Sequence, residues 1–300
     1  MRNCAVVIDG HSLTYRAYYA TLKQMEYYKE TNKQPTNAIK LMLLISLKIL
    51  NEHNPKYALI AFDAGQKTFR DDLFDDYKAG RPHSPDELRS QLQLLQEVLV
   101  YAGYNVRTQI GVEADDLIGS FVSKTTAHKI VNYVYTSDKD MLQLVNEYTN
   151  VMQPKKGISE MTVYTKENFP SLYYGLNPAQ VIEFKSIVGD SSDKLPGVKG
   201  IGIKTGIDLL LKYGSLDNIY ENLSELRPAQ QKLFNEHKKT AYLCKKLATI
   251  KCDCYDAINL NEFLRKTADL EKLTGFLQKY QIRNLENEIY RSVQLFDEGE

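Results

Sequence analysis

At 300 residues the chain is long enough for one large domain or two linked ones around a sizeable core. Its 43% apolar and 25% charged residues are ordinary for a globular protein and exclude a disordered or collagen-like chain. The most apolar stretch, Leu41 to Leu50, is broken by Ser46 and Lys48 and falls short of the ~18 residues a membrane span needs. Ahead of Asp9 the only apolar run is Cys4 to Ile8, too short for a secretory signal. Four irregularly spaced cysteines (Cys4, Cys244, Cys252 and Cys254) read as reduced thiols of a cytoplasmic protein with no membrane association. Cys252 and Cys254 are too close together for a zinc ribbon and have no second pair.

The formal charge is zero, 38 positive against 38 negative, but the charges are unevenly spread. Residues 190–251 carry 11 positive and 7 negative side chains, and residues 252–300 carry 6 and 10. Between Arg227 and Lys251 stand Arg227, Lys232, Lys238, Lys239, Lys245, Lys246 and Lys251 against Glu236 alone. Such a basic stripe suits a polyanion-binding face, with a merely solvated helix surface as the alternative.

In chain order, strand patterns fall at Cys4–Ile8, Tyr57–Phe62, Tyr104–Thr108 and Val131–Tyr135. Helical periodicity fills Asn37–Glu52, Asp86–Ala102 and Ala114–Thr125, the second opening with Ser84 as N-cap, Pro85 in the first turn and Glu87 as capping-box partner. This alternation predicts an α/β fold with a mostly parallel central sheet flanked by helices, over residues 1–175. From Asn177 onward the pattern is helical almost throughout, so residues 176–300 are expected to form a helical region. No linker-like tract separates the two parts, which predicts that they pack closely.

The acids sit at strand exits. Asp9 ends the first strand and Asp63 the second, Asp138 and Asp140 follow the fourth, and Glu113, Asp115 and Asp116 enter a helix. In an open parallel sheet the carboxyl ends of the strands border one crevice. Asp190 and Asp193 could complete the cluster from the helical region. Two unit charges ~4 Å apart repel by a few kcal/mol at an effective dielectric of ~20, so the acids either protonate or meet hard cations. Oxygen donors without nearby His or Cys favour Mg²⁺ or Mn²⁺, and two such ions would clamp a phosphodiester for in-line attack. Taken singly, a strand-end Asp is as well explained as a helix cap.

Leu195 to Leu211 reads LPGVKGIGIKTGIDLLL. Gly197, Gly200 and Gly202 suit a tight turn between two helices over about 187–213, whose exposed amides can bind phosphate without reading bases. Lys199 and Lys204 would add charge there; a plain packing corner is the alternative.

These motifs carry a resemblance. VIDGHSLTYRAYYA, AFDAGQKTFRDDLFDDYKAGRPHSPDELR, GVEADDLIG, TSDKDMLQLV and GDSSDKLPGVKGIGIKT occur in order over nearly the whole chain. The sequence resembles the bacterial 5′→3′ exonuclease and flap endonuclease family, including the N-terminal nuclease domain of DNA polymerase I. The resemblance implies a PIN-like 5′ nuclease fold with a helical arch at about residues 65–103 and a helix-hairpin-helix motif in the C-terminal part. Asp9, Asp63, Glu113, Asp115 and Asp116 match the family's first-metal carboxylates, and Asp138, Asp140, Asp190 and Asp193 those completing the second. Lys78 and Arg81 match the catalytic basic pair of the arch, Tyr77 a base-stacking aromatic, and Arg16 and Arg70 phosphate contacts. Gly197, Lys199, Gly200, Gly202, Lys204 and Thr205 match the duplex-binding turn, which often carries K⁺.

What is implied is a free-standing, divalent-metal-dependent 5′→3′ exonuclease and flap endonuclease. It would act on 5′ flaps, nicks, branched duplex and RNA primer–DNA junctions in replication and repair, as a monomer working beside a separate DNA polymerase. Gly80, Ser137 and Lys194 depart from the family pattern, yet all nine acids remain. The arch segment Gly65–Arg89 holds five basic residues against six acids, so bulk charge cannot draw DNA into it. A phosphatase or ribonuclease of similar architecture, or a junction-binding module with structural acids, remain the rival readings.

Overall fold

The computed structural model describes residues 1–31, 33–80, 84–156, 160–254 and 259–298. Six strands form one sheet: β1 (Arg2–Asp9), β2 (Pro55–Ala61), β3 (Asn105–Arg107), β4 (Val131–Tyr135), β5 (Thr149–Lys156) and β6 (Glu160–Tyr164). Their spatial order is β3-β2-β1-β4-β5-β6, every neighbouring pair parallel except β5 with β6. The chain adds strands on one side of β1 and then on the other, so a crevice opens beyond the ends of β1 and β4.

β1 is buried from Cys4 to Asp9 because helices cover both faces, which is why it reads as an unbroken apolar run. Ala5 and Val7 point into a core shared with Leu117 and Phe121 of the helix Ala114–Ala127. Val6 and Ile8 point the other way, toward Leu43 and Leu47 of Asn37–His53 and Leu95 and Leu99 of Asp86–Tyr101.

The first core continues without a break into the C-terminal helices. Leu209 and Leu210 of Ile203–Tyr213, Phe234 of Pro228–Glu236 and Ala241 of Lys238–Ala248 belong to the same buried cluster as Ala5 and Val7. The close packing expected from the missing linker is therefore present. Two further helices, Leu270–Lys279 and Glu286–Asp297, return to the opposite face, where Leu273 and Phe276 meet Leu95 and Val98.

Three local expectations change. The β5–β6 hairpin was not expected, since β5 carries Pro154 and β6 is an edge strand with a half-polar pattern. Ser84 does not cap the helix that follows. Pro85 takes the N-cap position without a side-chain bond, and the Ser84 hydroxyl pairs with that of Tyr15. Of the segment expected to form the arch, about 65–103, the described residues contain the short helix Phe69–Leu73, the helix Asp86–Tyr101 and a turn through residues 75–80 that packs on the helical region. Phe74 and Tyr77 pack there with Leu195, Cys244 and Leu247. All four cysteines are free thiols, and no helix among the described residues is long and apolar enough to cross a membrane.

Candidate metal and phosphate site

A cavity of about 520 Å³ opens at the crevice, lined by Asp9, Asp63, Glu113, Asp115 and Asp138, with Lys78 at its rim. Asp9 ends β1 and caps the helix Gly10–Ala20, its Oδ1 accepting the Ser12 amide at 3.0 Å and its Oδ2 the Thr136 hydroxyl at 2.7 Å. Asp63 accepts the Ala114 amide at 2.8 Å, joining the exit of β2 to the start of Ala114–Ala127. Asp138 accepts the Asp140 amide at 2.8 Å in the turn after β4.

Burial pushes the Asp9 carboxyl up to about 7, the Ser12 and Thr136 hydrogen bonds oppose it, and the charges of Asp138 and Asp63 add to it. Burial, then Asp138 and Asp9, likewise hold Asp115 well above the usual carboxylate range. The crevice thus holds more negative charge than its own hydrogen bonds relieve. Lys78 is the fixed cation at its edge, with Nζ 2.9 Å from Glu113 Oε2. Burial works against that ammonium, but Glu113, Tyr77, Asp115 and Asp193 outweigh it and raise its pKa.

A hard-oxygen donor set under mutual repulsion fits Mg²⁺ or Mn²⁺. Among the described residues, however, no three His, Cys, Asp or Glu side chains already converge as a ligand cage for one ion.

Three of the other four predicted acids pair with buried cations of the fold. Asp116 accepts two hydrogen bonds from the Arg70 guanidinium, at 2.6 and 2.8 Å. Asp140 and Asp190 both hold the Lys185 ammonium. Burial raises the Asp190 pKa, but Lys185 and Ser192 outweigh this and set it at about 2. Asp193 is buried, and its carbonyl accepts the Lys78 amide at 3.4 Å.

Some residues expected to meet DNA, and one of the basic stripe, have protein partners in this structure. Arg70 is 2% exposed, donates to Asp116, Leu247 O and Thr249 O and lies 3.4 Å from Glu113, so in this structure it is an internal strut. Tyr77 is buried with its hydroxyl toward Glu113 and offers no face for stacking. Lys245 leaves the basic stripe, being paired with Glu183 at 2.9 Å and Asp217 at 2.8 Å. Arg16 is half-buried on the helix Gly10–Ala20, and Arg81 lies outside the described residues.

The glycine-rich turn joins Gln180–Val188 to Ile203–Tyr213. Lys199, Gly200, Gly202 and Lys204 are exposed and Thr205 half-exposed. Gly202 is the N-cap and supplies no side-chain acceptor, which leaves first-turn amides of an 11-residue helix for an anion. Gly197 has another role. It sits at φ +61°, and a Cβ there would lie 2.4 Å from Gly189 N and 2.6 Å from Ile187 O. Gly197→Ala is expected to cost about 2 kcal/mol or more, from the left-handed backbone plus a clash with main chain. Thermal or urea unfolding checks this, and an unchanged midpoint would show that the turn relaxes freely.

Of the departures from the family pattern, Gly80 has a physical reason, since it sits at φ +76°, whereas Lys194 at φ +57° occupies a region that asparagine enters more readily than lysine. His11, Tyr15 and Tyr19 also line the cavity, although the sequence reading passed over them as site residues. Their i, i+4, i+8 spacing after Asp9 places them on one helical face, a signal available in the sequence. Lys185 was missed as well; nothing in its local pattern marks it.

Comparison with known proteins agrees with this geometry. Residues 4–173 match the family model described as 5′-3′ exonuclease, N-terminal resolvase-like domain, and residues 176–271 the 5′-3′ exonuclease, C-terminal SAM fold. The chain belongs to the 5′-3′ exonuclease family, and is an enzyme of that class. It is 45% identical over 281 residues to a 5′-3′ exonuclease of Mycoplasma genitalium, covering 94% of this chain and 97% of that one. It is 37% identical to DNA polymerase I of Streptococcus pneumoniae over 96% of this chain and 33% of that protein. T5 5′-exonuclease, solved with bound divalent metal ions (zinc), shares the fold at TM-score 0.66 and 20% identity, covering 92% of this chain and 98% of the other. The catalytic core of Rad2 in complex with a DNA substrate does so at 0.60 and 16%, covering 98% and 92%.

Proposed function

We propose that the chain is a divalent-metal-dependent nuclease that trims 5′ ends and cuts 5′ flaps from nicked or branched DNA. The observation that carries this reading is the crevice at the end of β1, where five carboxylates from four chain segments face one cavity beside a fixed lysine. In this reading residues 1–175 do the chemistry and residues 176–300 hold the duplex. Asp9, Asp63, Glu113, Asp115 and Asp138 would hold Mg²⁺ or Mn²⁺, with Asp190, Asp140 and Asp193 toward a second ion. Such ions supply Lewis acidity toward water and the phosphate oxygens.

The chain's own groups do the rest. Thr136 and Ser12 orient the Asp9 carboxylate, and the Ala114 amide orients Asp63. Lys78, held by Glu113, places a positive charge where negative charge grows on the phosphoryl group during in-line displacement. The turn around Lys199, Gly200, Gly202 and Lys204 grips duplex phosphates, so binding is sequence-neutral and weakens with salt. Its exposed backbone suits the K⁺ that the resemblance implies. A role in RNA-primer removal and repair, as a monomer beside a separate DNA polymerase, completes the reading.

The test is a labelled 5′-flap duplex incubated with purified protein in Mg²⁺ or in EDTA. Release of the flap in Mg²⁺ alone is expected. Flap binding without cleavage in either condition would replace the enzyme with a junction-binding module.

A further inference from the structure

Lys185 is 8% exposed, and its ammonium lies between two carboxylates, 2.6 Å from Asp190 Oδ2 and in still closer contact with Asp140 Oδ1. The three residues come from separate segments: the turn after β4, the helix Gln180–Val188 and the start of the glycine-rich hairpin. A lysine is rarely this buried unless a negative partner compensates for its lost hydration. Here two partners do so, and the trio keeps one net negative charge.

Lys185 and Asp190 line a second cavity of about 850 Å³ that shares Ser137 and Asp138 with the first. The crevice therefore has two unlike halves. The first presents carboxylates that repel one another. The second is already bridged by a cation belonging to the fold.

We infer that Lys185 is the built-in counter-ion of the second half of the site, and that a divalent cation engages Asp140 and Asp190 only by displacing its ammonium. The inference rests on the nuclease reading above, in which those two acids are cation ligands. Its physical content is a competition. The pair attracts a divalent ion strongly, but the ion must overcome an ammonium already at contact distance in a poorly hydrated place. The two halves should accordingly fill unequally, the second far more weakly than the first. A lysine that merely tied helix to hairpin would matter for stability and leave ion uptake untouched.

The experiment is a Mn²⁺ titration without DNA, followed by calorimetry and by electron paramagnetic resonance of free Mn²⁺. It compares the wild-type chain, Lys185→Met and the double variant Lys185→Met/Asp190→Asn. Lys185→Met is expected to bind its second Mn²⁺ at least tenfold more tightly than wild type. Its melting temperature, lowered in EDTA, should rise more with Mn²⁺ than that of wild type. The double variant should lose the tighter binding. Lys185→Gln, which keeps a donor and removes the charge, makes the same test should the methionine variant not fold. Second-ion affinity unchanged in both single variants, or a gain that survives Asp190→Asn, overturns the inference. Wild-type protein that takes up no Mn²⁺ and cleaves no flap overturns the nuclease reading and this inference with it, a result distinct from an unchanged affinity.

Discussion

Asp138→Asn is expected to lower single-turnover flap cleavage by about a thousandfold, equivalent to about 4 kcal/mol of transition-state stabilisation. The same variant should bind the flap in Ca²⁺ within about threefold of wild type. The substitution is nearly isosteric and spares the local fold. Asp138 Oδ1 accepts the Asp140 amide at 2.8 Å, and the Asp138 amide donates to Thr136 Oγ1 at 2.9 Å, bonds an asparagine can keep. What disappears is one negative charge on the wall shared by the two cavities. That charge helps to raise both Asp9 and Asp115, so its removal relieves repulsion and stability in EDTA should hold or rise. Loss of turnover with retained stability and binding separates a reacting-centre role from a structural one. Unchanged turnover would remove Asp138 from the site, and a fall in binding as large as the fall in rate would make it a docking residue.

Much of this architecture was legible because burial on both faces writes itself into β1 and β2 as short apolar runs, with amphipathic helices between the strands. Strand-end aspartates were equally visible, since topology alone carries Asp9, Asp63 and Asp138 to one edge. The sequence could not show which acids already have an internal cation. Asp115 and Asp116 are adjacent, yet successive positions on a helix point about 100° apart. One lines the cavity, and the other turns inward to Arg70. Asp140 meets Lys185 through a tertiary contact 45 residues away along the chain, which no local pattern records, and only that contact shows that Lys185 and Asp190, five residues apart, belong to the crevice. The basic stripe misled in the same way at Lys245, whose partners Glu183 and Asp217 come from other helices. Charge type is local information, whereas charge pairing belongs to the fold.

Arg70 turns that distinction into a second large effect. Replacing it with methionine should cost about 3–5 kcal/mol, because a buried carboxylate loses its partner. For a chain of this size that is roughly 6–15 °C in melting temperature. The guanidinium gives two hydrogen bonds to Asp116, one to Leu247 O at 2.9 Å and one to Thr249 O at 2.8 Å. It thereby ties the short helix Phe69–Leu73 to the start of Ala114–Ala127 and to the end of Lys238–Ala248. These segments bring Lys78 and Glu113 to the crevice, so the strut acts on geometry from behind. A phosphate contact would behave differently, with the melting temperature preserved and the salt dependence of DNA binding reduced by about one unit of slope. The double variant Arg70→Met/Asp116→Leu should recover part of the lost stability, since it removes the orphaned charge along with its partner. Should Arg70→Met melt as the wild type does while binding DNA with a shallower salt slope, the guanidinium would be free in solution, and the family-derived assignment would stand in place of the internal strut.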